Sequence, residues 1–437
     1  MKLIHTADLH LGQILYQNYD REDEHAHFFK QLKAWCRAEK PDALVVSGDI
    51  FDIQQPSAAT KRFFNERFVD LAKDNPDMAI VIAAGNHDSA SRIQADSPVW
   101  DAAGVRLVGT APAIGSTDLP DGWQEKFIVR LESGYIVALP YMIGERPEVI
   151  QNILEKVEAE NEAGKPVVLM AHAAITGTDM QGHGEIGKMR TQGIQSMGHG
   201  WDYLALGHIH KPQTLGHAED ALKEEAVTYP SGVARYSGSA LHVSCDETYP
   251  HSVSVVEIPA HGADVTIRPL RIDELRHFFI LPDGGKGYAS EEEALAGVKD
   301  FCDNVGQGYF RLCVDAAVSL SSNFNKKVYD ILAPYGEEVR FNPKTIWVGE
   351  TKKEEDAEKP VFEVAELQQM EDPVDFIEKT RSQYHGLPDE DGLRKLFDEV
   401  RDEIKRFEDE VKQKEAQKAA KKKAQADQAK ENEDQEE

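Results

Sequence analysis

Up to about residue 210 the chain alternates short β-rich apolar runs with stretches in which apolar residues recur at helical spacing. The runs are LIHTA (3 to 7), ALVVS (43 to 47), MAIVIA (78 to 83), IVALP (136 to 140), PVVLMA (166 to 171) and DYLAL (202 to 206). Between the first two, Phe28, Leu32 and Trp35 share a helical face; between the second and third, Phe63, Phe64, Phe68 and Leu71 do. This alternation predicts an α/β sheet with crossover helices. From 226 to 270 the segments TYPSGVARYSGSALHVSC and HSVSVVEIP read as short strands between Gly, Pro and Ser turns, and a second sheet packing on the first is expected.

Residues 276 to 348 repeat strand, helix, strand, helix, strand through HFFIL, EEEALAGVKDFC, YFRLCVDA, NKKVYDIL and TIWV, which predicts a small accessory α/β domain. The segment VGETKKEEDAEKP (348 to 360) is charged and nearly free of large apolar residues, so a solvated linker is expected over 349–371. Asp372-Pro373 then supplies an N-cap and a first-turn proline, and Gly386 with Pro388 a stop, framing one helix. A second helix carries Leu393, Phe397, Val400, Ile404, Phe407 and Val411, spaced 4, 3, 4, 3 and 4, a heptad seam. Beyond about 412 the chain lacks an apolar face and reads as a frayed or disordered tail. The expected organisation is a main domain over 1–272, a small domain over 273–348, the linker, a helical region over 372–411 and the tail over 412–437.

At 437 residues the chain exceeds one ordinary hydrophobic core, consistent with this division. No run approaches the roughly 18 to 20 uncharged apolar residues that span a bilayer. The start MKLIHTADLH reaches Asp8 and His10 before an apolar signal core can form, so a cytoplasmic protein is expected. Cys36, Cys245, Cys302 and Cys313 form no CxxC pair or zinc spacing and read as reduced, mostly buried thiols. The net charge of −28 opposes unaided binding to nucleic acid. It does not localise: 1–270 carries 23 Lys+Arg against 37 Asp+Glu, which is −14, and the remaining 26 against 40 give −14 again. A DNA enzyme with this balance needs bound metals, a local basic patch, or a partner that supplies the cationic groove.

Polar residues of metal-ligand type stand where five apolar runs end: Asp8 and His10, Asp49, Asn86 and His87, His172, then His208 and His210. In an open α/β sheet the loops beyond the strand carboxyl ends converge on one crevice. Singly, each residue has a bland reading as a cap, a turn residue or a satisfied histidine. Jointly they do not, because turns have no need of imidazoles at three strand ends and carboxylates at two others. Gly48, Gly85 and Gly207 directly precede three of these groups, and glycine allows sharp turns and close backbone approach. Oxygen donors mixed with imidazole suit Mn²⁺, Fe²⁺ or Zn²⁺ better than Mg²⁺, and the set suffices for two ions. Two ions sharing a carboxylate fit phosphate ester hydrolysis.

In this order DLHLG, GDIFD, GNHD, AH and GHIH resemble the calcineurin-type metallophosphoesterases. TADLHLGQ, GDIFD and the later YSGSALHVSCDE are similar, within that superfamily, to the Mre-type nuclease subunits of bacterial SbcCD complexes, over residues 1 to about 410. The resemblance implies a four-layer α-β-β-α sandwich with a small α/β DNA-capping domain and C-terminal helices. It implies two divalent metal ions, in this family Mn²⁺. Asp8, His10, Asp49 and His210 would hold one ion and Asp49, Asn86, His172 and His208 the other, with Asp49 as the bridge. His87 would stabilise the transition state or protonate the leaving 3′ oxygen, oriented by Asp88. Archaeal and eukaryotic relatives often carry a second catalytic histidine where this chain has Asp52, so no second histidine role carries over. His183 and His199 read as loop residues.

The implied partner is an SbcC-type coiled-coil ATPase, docked on the helices of 372–411, whose groove would supply the missing positive charge. The implied reactions are 3′ to 5′ degradation of double-stranded DNA ends and cutting of single strands or hairpins, by a homodimer within a heterotetramer. A phosphatase or small-nucleotide phosphodiesterase should carry the arginine of GDxVDRG; here Ile53 and Gln54 follow Asp52. A non-enzymatic scaffold would tolerate gaps among the ligands, and this chain has none.

Overall fold

Each of the six apolar runs becomes a strand within a residue or two of its predicted bounds, but they divide between two sheets. The computed structural model describes residues 1–349, apart from 17, 114–118, 182–190, 218–222, 244–246, 248 and 285. The first three runs form the parallel strands Lys2–Thr6, Ala43–Ser47 and Ala79–Ala83, with Val105–Val108 beside them. The later three, Tyr135–Ala138, Val167–His172 and Tyr203–Gly207, lie in a second sheet and pair parallel to one another.

The 226–270 segment does not form a second sheet of its own. Val227–Tyr229, Ser252–Glu257 and Val265–Arg271 extend the first sheet, with Ser252–Glu257 antiparallel to Lys2–Thr6, while Val233–Tyr236 joins the second sheet beside Tyr203–Gly207. The return covers what would be an exposed edge at Lys2–Thr6, a template for unwanted pairing. Splitting the parallel runs over two sheets also lets their apolar faces bury one another.

Alternation within single strands shows the layers. Leu3, Val45 and Val81 face a core that includes Val137, Leu169 and Leu204 of the second sheet, along with Ile150, Ile153, Leu154 and Val157 of the helix Pro147–Glu160. Ile4, Leu44, Val46 and Ile80 face the opposite way, onto Phe28 and Leu32 of Glu22–Glu39, Phe64 and Phe68 of Ala58–Asp74, and Trp100 of Ala90–Asp101. The result is a four-layer α-β-β-α sandwich. Ala43–Ser47, buried on both faces, reads accordingly as an unbroken apolar run.

Residues Phe278–Val348 add a third, wholly parallel sheet, Phe278–Leu281, Gly308–Asp315 and Val339–Val348, with Glu291–Asn304 and Phe324–Leu332 as crossovers. Its order is the one read from the sequence; TIWV is only the end of a ten-residue strand whose Pro343 and Lys344 disguise it. This sheet has a separate core around Phe301, Phe310, Leu312 and Phe341. Against the sandwich it makes a buried polar junction, in which Tyr309 Oη and Arg340 Nη1 donate to Glu24 Oε1 at 2.5 and 3.0 Å. Cys36, Cys302 and Cys313 are buried free thiols, and Cys245 lies outside the described residues, as do the linker, the heptad helix and the tail. No helix among the described residues is long and apolar enough to cross a membrane.

Candidate metal centre

The loops that leave the strand ends carry unusual backbone. Asp8, His10, Asp49 and His208 have φ of 52°, 46°, 48° and 97°, a region that side chains with a Cβ rarely adopt and that costs on the order of 1–3 kcal/mol each. These four make up most of the non-glycine residues with positive φ among those described, Tyr16 and Lys40 being the others. The neighbouring glycines serve close packing. A Cβ on Gly48 would stand 2.1 Å from His172 Nδ1, one on Gly85 2.1 Å from Asp49 Oδ1, and one on Gly207 1.9 Å from the Ser47 carbonyl. Only Gly48 also needs its positive φ, of 92°.

These loops bring seven predicted ligands to one rim in two sets. Donor atoms of Asp8, His10 and His210 lie within 4.8 Å of one another, and so do those of Asp49, His172 and His208. Asn86 Oδ1 completes the second set, 2.9 Å from His172 Nε2 and 2.8 Å from His208 Nδ1. Asp49 stands between the sets, its Oδ2 3.3 Å from His172 Nε2 and 3.9 Å from His10 Nε2.

Tautomers test whether a cation fits. His172 Nδ1 lies 2.8 Å from the Ser47 carbonyl, which can only accept, so Nδ1 carries the hydrogen. In the neutral ring Nε2 is then a lone pair facing Asn86 Oδ1 and Asp49 Oδ2, three acceptors with nothing to share. Both nitrogens of buried His10 also lack a hydrogen bond, with Asp52 Oδ1 3.4 Å from Nδ1. Convergent lone pairs of this kind are what a divalent ion satisfies, and oxygen mixed with imidazole suits a first-row metal.

Without an ion, protons take its place. Burial lowers the His172 pKa, but Asp49 and Asp8 outweigh it and raise the group to about 9. Burial disfavours the charge of Asp49 too, yet His172, then His10 and His87, hold its carboxyl well below the usual range. Asp8 is raised, because burial outweighs the attraction of His172 and His210. His10 is raised against its burial by the adjacent Asp52 and Asp49.

His87 stands at the edge of the first set, its ring edge-on to His10 with centroids 4.9 Å apart. Its Nδ1 donates to the Asp52 carbonyl at 2.7 Å and its backbone N–H to Asp49 Oδ1 at 2.8 Å, which leaves Nε2 as the ring atom that can take up and release a proton. The expectation that Asp88 orients His87 meets a different geometry. Asp88 accepts from the amides of Gly85, Ile50 and Phe51 at 2.8, 3.1 and 3.0 Å, so both of its oxygens are engaged in tying GNHD to GDIFD. The Asp52 main chain holds the ring, and Asp88 acts one step behind by fixing the loop.

Three residues near the centre were not singled out as parts of it from the sequence. Asp52 forms a further potential cation cluster with His10 and His87. Glu247 accepts from His210 Nδ1 at 2.8 Å and lies within YSGSALHVSCDE, where its carboxylate was the available signal. Tyr141, with its ring centroid 6.1 Å from that of His172 and 6.4 Å from that of His208, left no signal, because only the packing of two sheets brings it there. His199 lies apart from these donors, its amide on Gln151 Oε1 of the helix Pro147–Glu160, and His183 falls outside the described residues.

Residues 1–212 match the calcineurin-like phosphoesterase family. The D-type subunit of the nuclease SbcCD from Rhodobacter capsulatus is 28% identical over 60% of this chain and 68% of its own length. That of Bacillus subtilis is 30% identical over 59% and 66%, and that of Escherichia coli K12 26% identical over 56% and 62%. The match thus spans about two thirds of the length of these relatives. With the donor sets at the strand ends, this likeness identifies residues 1–212 as a calcineurin-like phosphoesterase domain, in a chain similar to the D-type nuclease subunits of SbcCD.

Proposed function

We propose that the protein is a metal-dependent DNA nuclease, the D-type subunit of an SbcCD-like complex. The observation that carries the reading is the pair of donor sets around Asp49 in a chain related to the D-type subunits of SbcCD nucleases. Asp8, His10, Asp49 and His210 would hold one divalent ion and Asp49, Asn86, His172 and His208 the other, Mn²⁺ in the cell. Bound there, two such ions supply Lewis acidity to the phosphodiester and to the water that attacks it.

The chain's own groups do the rest. His87, with Nδ1–H committed to the Asp52 carbonyl, presents Nε2 to the leaving 3′ oxygen and, in its doubly protonated form, delivers the Nε2 proton there and returns to the neutral ring. Asp88 keeps the GNHD and GDIFD loops in register, and the dry, crowded floor of buried carboxylates and imidazoles keeps the ligands from relaxing toward solvent. The reactions are 3′ to 5′ degradation of double-stranded ends and cutting of single strands and hairpins, in recombination, replication and break processing.

Residues 273–348 form the DNA cap in this reading. The helices of 372–411 dock on a coiled-coil ATPase of the SbcC type, two copies of each chain assemble, and ATP gates the site. A chain of net charge −28 gains its cationic DNA surface from that partner.

The test is cleavage of end-labelled duplex and hairpin DNA, with Mn²⁺ or EDTA, by the wild type and by His87→Ala, each alone and with the ATPase. Manganese-dependent cutting by the wild type, lost in His87→Ala while two ions still bind, is expected. DNA left intact while a phosphomonoester or cyclic nucleotide is hydrolysed would keep the chemistry and overturn the substrate.

A further inference from the structure

The segment YSGSALHVSCDE ends on a carboxylate that the reaction above does not use. Glu247 is 1% exposed, and such a group is seldom buried without partners. Its Oε1 lies 2.8 Å from His210 Nδ1, and its Oε2 accepts from the Val243 amide at 3.0 Å and faces His251 Nε2 at 3.4 Å. His251 is anchored from behind, because its Nδ1 lies 2.9 Å from the Ser239 carbonyl and so carries the hydrogen. The ring of His242 packs on His251 with centroids 4.1 Å apart.

A carboxylate oxygen 2.8 Å from Nδ1, its partner oxygen already accepting from the Val243 amide, leaves His210 one productive state, with hydrogen on Nδ1 and the lone pair on Nε2. Such a carboxylate also raises the basicity of the imidazole it holds, and outer partners of this kind typically set metal affinity by about 10- to 100-fold.

We propose that Glu247 is a positioning residue that locks His210 with Nε2 available to the ion shared with Asp8 and His10, and so sets the affinity of one ion site without touching substrate. The inference rests on the two-ion reading of the centre. The plain alternative is a clamp that only holds the Val243 loop.

Metal-free wild type, Glu247→Ala and Glu247→Gln are titrated with Mn²⁺ by calorimetry, with spin coupling between the ions followed by electron paramagnetic resonance. The wild type should take up two coupled ions. Glu247→Ala should bind one with unchanged affinity and the other about 10- to 100-fold more weakly. Its coupled signal should be absent at two equivalents and return at excess Mn²⁺, together with wild-type kcat. Glu247→Gln keeps the size and an oxygen acceptor but not the charge; it should weaken the same site less, and it carries the test if the alanine variant does not fold. Variants that melt earlier yet keep both wild-type affinities would reduce Glu247 to a clamp and overturn the proposal with the two-ion centre intact. A wild type that binds fewer than two ions would overturn both.

Discussion

Glu24 is where the small sheet is held to the sandwich, and its removal has a calculable effect. Arg21 Nε and Nη2 reach Glu24 Oε2 at 3.0 and 2.6 Å, Arg340 Nη1 and Tyr309 Oη reach Oε1 at 3.0 and 2.5 Å, and Arg276 Nη1 lies 3.5 Å from Oε1. The carboxylate and all three arginines are buried. Glu24→Ala would leave three guanidinium groups facing one another, and breaking a buried ion pair from one side costs about 3–5 kcal/mol. Each arginine keeps a partial partner, namely Gln13 Oε1 for Arg21, the Asp20 carbonyl for Arg340 and half-exposed Asp23 for Arg276, which puts the cost near the lower end, about 3 kcal/mol. Urea unfolding of metal-free protein measures it, and hydrogen exchange at the Gly308–Asp315 amides should speed up before those of Ala43–Ser47. Adding Arg340→Met should return part of the loss, because the two changes share one contact. A loss under about 1 kcal/mol, or costs that simply add, would refute the view that this junction is electrostatic.

Gly85→Ala puts a Cβ 2.1 Å from Asp49 Oδ1 and 2.2 Å from Asp49 N, so Asp49 must shift; a stability loss of about 1–3 kcal/mol and uptake of fewer than two Mn²⁺ are expected, and full uptake would contradict the packing role of this glycine. His172, raised to about 9, must shed a proton to bind an ion, so Mn²⁺ affinity should climb by up to about tenfold per pH unit from 7 to 9 and level off above; a flat profile over that range would count against it as a ligand. By the same shift, its contribution to the metal-free fold is complete below about 6.5 and is lost as pH passes about 9. Asp88 is pushed up to about 6, by burial and then by Asp49, so between about pH 4 and 6 the folded chain binds more protons than the unfolded one and loses stability as pH rises. Asp88→Asn lacks that slope, and the stability advantage of the wild type over it should shrink by about 3 kcal/mol from pH 4 to 7, read from urea midpoints; a constant gap would refute the shift.

Local information determined a good deal of this protein. Apolar runs of five or six residues marked the strands, because a strand buried on both faces needs little else, and the periodic phenylalanines of Ala58–Asp74 marked a helix whose one face is in the core. Ligand-type side chains next to glycines at the run ends marked the rim, since loops at the carboxyl ends of parallel strands converge whatever their partners. Sheet membership was beyond that reach: nothing local to Val233–Tyr236 distinguishes it from Ser252–Glu257, and they part only because one edge of each sheet needed covering. The small helix Ala90–Asp101 and the strand Ile128–Arg130 lacked a pattern strong enough to stand out. The particular pairings were decided by tertiary structure alone. Asn86 meets His208 across 122 positions, Glu247 meets His210 across 37, and Glu24 meets Arg340 across 316. A hydrogen bond or a shared cation requires atoms within about 3 Å, and only the packed sheets set distances at that scale, whereas hydrophobic patterning specifies a face and leaves the partner open.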